Sequence, residues 1–126
     1  MKKEYDFCHS KELGKRGEAI AAEYLAEKGY KIRHRNWHFG HKELDIVATY
    51  NNMVVIVEVK TRWTNYWEEP KESVRRKKQR FIIEAAEAYV QNFNLNMDVQ
   101  FDVISIVLQG DNHELEHIQD AFQPSF

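Results

Sequence analysis

The chain has 126 residues, 43% hydrophobic and 30% charged, with a net charge of −2, which fits one soluble globular domain over residues 1–126 and argues against a nucleic-acid binder working by net charge alone. The single cysteine, Cys8, excludes an internal disulfide and a cysteine-rich zinc site. No stretch approaches the roughly 18 apolar residues of a bilayer span, and the first residues lack a signal-peptide core, so the expected location is cytoplasmic with no membrane partner.

Residues 1–10 are polar and read as a flexible arm, with Ser10 suited to cap a helix that Gly29 would end. Leu13, Gly17, Ile20, Ala21, Tyr24 and Leu25 fall on one side of that helix. Glu18 lies at the edge of this stripe beside Gly14, Ala21 and Ala22, small residues that allow close approach to a sheet. By position alone it either reaches water or leans toward a site in the sheet. Tyr30 to Trp37 alternates as a first strand, with Lys31, Arg33 and Arg35 on one face and Tyr30, Ile32 and His34 on the other. His38 to Lys42 forms a turn. His34, His38 and His41 straddle strand and loop with no cysteine to assist, which disfavours zinc.

Two β-type runs follow, Leu44 to Tyr50 and Met53 to Lys60, joined by Asn51-Asn52, a pair that tolerates positive φ in a tight hairpin turn. Paired residues then have numbers summing to 103, so Asp45 faces Glu58 and Glu43 faces Lys60, all on one face. Leu44, Ile46, Ala48, Val55, Val57 and Val59 form the apolar face to be buried. Two carboxylates with Cβ atoms roughly 5 Å apart repel unless a cation sits between them. Mg²⁺ takes oxygen ligands of this kind, and a lysine such as Lys60 can orient an attacking water or stabilise charge on a phosphate. The competing reading is a solvated strand face with a Glu43 to Lys60 salt bridge.

Residues 61–70 read as an aromatic-rich loop near the site, where exposed Trp63, Tyr66 and Trp67 stack on bases or fold back as a hydrophobic cluster or dimer contact. A second helix, about Ser73 to Gln91, is expected to bury Val74, Phe81, Ile82, Ala85 and Tyr89. Lys78 projects into that apolar arc, either to reach a substrate phosphate together with Gln79 or to snorkel. Val99 to Leu108 reads as a buried strand and His113 to Asp120 as a weaker edge strand after Gly110-Asp111-Asn112, with Asp102 a structural residue. All 18 Lys and Arg fall within residues 1–97, which carry +4, whereas residues 98–126 carry −6. A basic working surface backed by an acidic tail is compatible with phosphate contacts. The element order, α-β-β-β-α-β-β, predicts an α/β fold with a central mixed sheet flanked by helices.

Asp45 followed by Glu58-Val59-Lys60 resembles the PD-(D/E)XK signature of restriction-endonuclease-like nucleases. Over nearly the whole chain, Gly14-Lys15-Arg16-Gly17-Glu18, Asn36-Trp37, Glu43-Leu44-Asp45, Val57-Glu58-Val59-Lys60-Thr61-Arg62, Lys78-Gln79 and Phe101-Asp102-Val103 are similar, in order, to the YraN-like family of small uncharacterised bacterial proteins. The resemblance implies a restriction-endonuclease-like fold near the archaeal Holliday-junction resolvases, although fold membership does not by itself give activity. It further implies Mg²⁺ (or Mn²⁺) held by Asp45, Glu58 and the Val59 carbonyl with help from Glu18, and Lys60 as the catalytic lysine. Glu43 would tune Lys60. DNA, branched or structured, is the implied partner, contacted by Arg62, Trp63, Arg75, Lys78 and Gln79, with a homodimer by analogy to the resolvases. The alternative is a noncatalytic nucleic-acid-binding or scaffold protein, and nothing in the sequence separates DNA from RNA. The chain departs from the family at Lys42, where glycine is usual, and at Gln100, where arginine is usual.

Overall fold

The computed structural model describes residues 2–64 and 75–124, with side chains described from residue 11 onward. Helix α1 (Lys2–Glu27) precedes strands β1 (Lys31–Phe39), β2 (Lys42–Tyr50) and β3 (Met53–Trp63), and helix α2 (Arg76–Asn92) leads to β4 (Asp98–Gln109) and β5 (Asn112–Phe122). The strands lie in the order β1-β2-β3-β4-β5. Only β3 and β4 run parallel, so the sheet is mixed, as expected. No helix among the described residues is long and apolar enough to cross a membrane.

The reversals have local causes. Gly29, at φ 96°, ends α1, with Tyr30 N–H donating to the Leu25 carbonyl and Gly29 N–H to that of Ala26, the paired bonds of a Schellman motif. Asn51 and Asn52 take φ of 52° and 62°, so the β2–β3 turn has positive φ at both central residues, and its register runs from Tyr50↔Met53 to Ile46↔Val57 as the hairpin arithmetic requires.

Both faces of the sheet are covered. Ala21 and Leu25 of α1 pack on Ile46, Ala48, Val55, Val57, Ile104 and Ile106. On the opposite face Ile82, Ala85, Ala86 and Tyr89 of α2 pack on Leu44, Val47, Val54, Ile56 and Val103. Burial on both sides explains why β3 and β4 read as nearly continuous apolar runs, each large side chain contributing roughly 1.5–3 kcal/mol.

Several expectations need correction. Helix α1 begins at Lys2 rather than after Ser10, which lies inside the helix instead of capping it. Thr61, Arg62 and Trp63 continue β3 instead of opening a loop, because β4 offers partners at Ile106, Val107 and Leu108. Tyr66, Trp67, Ser73 and Val74 lie outside the described residues. Helix α2 starts at Arg76, with Ala86 buried and Phe81 40% exposed. The apolar alternation also breaks at Asp45. Leu44 belongs to the α2-side core while Ile46 belongs to the α1-side core. Across the ladder Asn36 has φ 53°, a left-handed conformation that asparagine tolerates, and pairing passes from Arg35↔Ile46 to Trp37↔Leu44 without Asn36 or Asp45. The register is the same on both sides of this gap, and the register shift of the β1–β2 ladder lies between Ile32 and His34.

Candidate active site

Beyond Ile46↔Val57 the β2–β3 ladder ends, and Asp45 and Glu58 do not form the cross-strand pair expected from the hairpin. The Asp45 carboxylate instead accepts the Val59 backbone N–H at 2.9 Å. The N–H and C=O of one strand residue point the same way, so the Val59 carbonyl faces this opening as well. Asp45 and Glu58 still meet, through a hydrogen bond between their carboxyl groups.

Glu58 is only 6% exposed. Burial, reinforced by the charge of Asp45, pushes its carboxyl up to about 8, and the nearby Lys78 and Lys60 ammoniums oppose that rise. Asp45 is also raised by burial, against the pull of the Val59 N–H. The two groups therefore hold a shared proton at pH values where isolated carboxylates are ionised.

Glu18 approaches from α1 because Gly17 allows it. A Cβ on Gly17 would stand 1.7 Å from Thr61 Oγ1 and 2.8 Å from Thr61 Cβ, so any side chain there would hold the helix off β3. Glu18 shares a cavity of about 300 Å³ with Asp45, Glu58, Val59, Lys60 and Thr61. Its Oε1 is buried without a hydrogen-bond partner among the described residues. Burial first, then the charge of Asp45, raises its carboxyl to about 7, while a hydrogen bond from Asn36 and the charge of Arg35 work the other way. Of the two readings open from the sequence, Glu18 takes the one that leans inward.

The donor set suits a hard divalent cation. It comprises two buried carboxylates, a facing carbonyl and a third carboxylate with an unpartnered oxygen. Among the described residues no group of three or more His, Cys, Asp and Glu side chains is placed to hold a metal ion. Mg²⁺ is commonly bound through one or two carboxylates with waters completing its shell, so Asp45 and Glu58 are the residues that could hold it, with Glu18 outside the immediate pair.

Lys60 lines this cavity and also a second groove, shared with Glu58, Arg75, Lys77, Lys78 and Phe81. Lys78 is exposed rather than held in the apolar arc, and its Nζ lies 3.7 Å from Glu58 Oε1. Arg75 stands at the N-cap of α2 beside it. The other expected contacts lie elsewhere. Gln79 turns toward β5, in a groove with Val103, Ile118 and Phe122. Trp63 packs against the α1-side core, and Arg62 is half-buried within β3. Glu43 Oε1 is 3.7 Å from His38 Nε2, and no ion pair joins Glu43 to Lys60 among the described residues.

Sequence reasoning gave Asn36 no role beyond its place in the Asn36-Trp37 motif. It missed His117. His117 Nε2 donates to the fully buried Asp102 at 2.8 Å, and its Nδ1 lies 3.0 Å from the Tyr24 hydroxyl, joining β4, β5 and α1. Asp102 also accepts from the Asp120 N–H and from Gln100 Nε2, both at 3.0 Å. Gln100 thus supplies a neutral hydrogen bond to the buried carboxylate.

The profile of the uncharacterised protein family UPF0102 matches residues 17–106. The chain belongs to UPF0102. A UPF0102 protein of Phocaeicola vulgatus is 49% identical over 113 residues, covering 90% of this chain and 93% of the relative. The UPF0102 protein of Bacteroides thetaiotaomicron is 48% identical with the same coverage, and that of Flavobacterium johnsoniae is 41% identical over 88% of this chain and 94% of the relative. The UPF0102 match begins at Gly17, the glycine that admits Glu18 to the cavity, and it spans Glu18, Asp45, Glu58, Val59, Lys60 and Thr61, whereas Leu13 and Gly14 of the same cavity precede it.

Proposed function

We propose that this chain is a metal-dependent nuclease of the PD-(D/E)XK type that hydrolyses phosphodiester bonds in DNA, preferentially branched or structured DNA. One observation carries the reading: Asp45, Glu58, Glu18 and Lys60 converge on one open cavity that adjoins a groove lined by Arg75, Lys77 and Lys78. Asp45, Glu58 and the Val59 carbonyl would hold Mg²⁺ or Mn²⁺, with Glu18 assisting from α1. The cation would neutralise charge on the phosphate and lower the pKa of water. Lys60 orients the attacking water or stabilises charge developing on the phosphoryl oxygens, and Lys78 and Arg75 steer the backbone into the groove. Lys78, 3.7 Å from Glu58 in the adjoining groove, would offer its ammonium to a substrate phosphate. Two copies acting together in the cytoplasm would cut both strands of a junction, and light scattering tests that pairing.

Purified protein incubated with Mg²⁺ or Mn²⁺ and linear, flapped and four-way-junction DNA should cleave at least one substrate. Asp45→Asn and Lys60→Ala should each lower cleavage by about 10²–10³ while DNA binding persists, the size of effect that single electrostatic groups in active sites command. Wild-type binding without cleavage, together with no cation uptake by calorimetry, would instead establish a noncatalytic binding protein.

A further inference from the structure

Trp63, the tryptophan expected to meet bases, packs partly buried against the α1-side core, whereas two other aromatic rings, one of them Phe39 stacked at 6.4 Å on Trp37, are more exposed. Phe39 is 47% exposed and Phe81 40%. A lone exposed phenylalanine is ordinary. These two are linked by one ammonium, since Lys42 Nζ lies 5.8 Å from the centroid of Phe39 and 5.7 Å from that of Phe81. Lys77 Nζ stands 5.9 Å from Phe81 on the same helix. An ion pair with Glu84 holds Lys42 in this position. Phe81 also lines the groove that contains Glu58 and Lys60, so the rings continue directly into the carboxylate site.

Flat apolar rings interleaved with ammoniums match a ligand that presents flat apolar faces and negative charges at short intervals. A single-stranded nucleic acid does so, with bases for the rings and phosphates for the lysines. A duplex keeps its base faces stacked inside and engages only the cations. An acidic peptide likewise uses the cations and leaves the rings uncovered.

We propose that Phe39 and Phe81, with Lys42 and Lys77, form a stacking platform for an unpaired nucleic-acid strand beside the carboxylate site. The proposal deepens the nuclease reading and rests on it for the fate of the strand, whereas binding to the platform can be measured without cleavage. The test uses fluorescence anisotropy in EDTA with a labelled oligothymidine and a duplex of the same length. Phe39→Ala/Phe81→Ala should weaken strand binding roughly ten- to hundredfold and leave duplex binding unchanged. Phe81→Trp should retain strand binding, because a larger ring stacks as well. A strand carrying 2-aminopurine should change its emission on binding wild type and Phe81→Trp but not the double alanine variant, and circular dichroism checks that each variant is folded. Equal loss on strand and duplex, no loss on either, or a wild type that binds no single strand would overturn the platform. Failure of wild type to cleave with Mg²⁺ bears on the nuclease reading alone and leaves the binding result standing.

Discussion

Glu58 is surrounded by protein and hydrogen-bonded to Asp45, so the folded chain keeps a proton that the unfolded chain releases near the ordinary value of 4.5. Its folded value, about 8, lies above the unfolded one, so its contribution to stability is fully present below pH 4.5 and is lost as pH rises through 8. Urea denaturation in EDTA should therefore show stability falling by on the order of 1–3 kcal/mol between pH 5 and 8, a loss that Glu58→Gln flattens. Added Mg²⁺ should reverse the fall in wild type, because a cation stabilises the ionised pair.

Helix α1 reaches the site through a single missing side chain. Gly17→Ala places a methyl against the whole Thr61 side chain and should destabilise the fold by roughly 1–3 kcal/mol, in the range of overpacking substitutions. It should also lower cleavage by drawing Glu18 back from Asp45 and Glu58. Gly14, one turn earlier, is the control for stability. Nothing lies within 4 Å of a Cβ there, so Gly14→Ala should stabilise the helix by about 0.5–1 kcal/mol, the opposite sign to Gly17→Ala. Thermal melts and junction-cleavage assays on the two variants separate loss of approach from loss of helix.

Across the molecule, the buried Asp102 gathers His117, Asp120 and Gln100, and His117 passes the connection on to Tyr24. This cluster fastens the edge strand β5 and helix α1 to the centre of the sheet, far along the chain from either carboxylate. Asp102→Ala should cost about 3–5 kcal/mol by urea denaturation, since it strands a buried imidazole and a backbone N–H together. His117→Phe should cost less, because it removes one partner and fills the space. Hydrogen exchange should show the β5 amides losing protection first in both variants.

The hairpin, the element order and the mixed sheet were legible because they follow from local chemistry: Asn51-Asn52 accepts positive φ, Gly29 stops a helix, and β-branched runs make strands. Asp45, Glu58, Lys60 and Glu18 could be picked out for the same reason, as charges set among apolar or small neighbours. Which of them meet, and how, was decided by contacts distant in sequence. The left-handed Asn36 takes Asp45 out of the ladder, Gly17 brings Glu18 down on Thr61, and β4 holds Trp63 in a strand rather than a loop. Phe81 faces outward because the core beneath α2 takes Ala86 and Tyr89 instead. Periodicity assigns a residue to a face, but only the packing of one element against another determines whether that face meets protein or water.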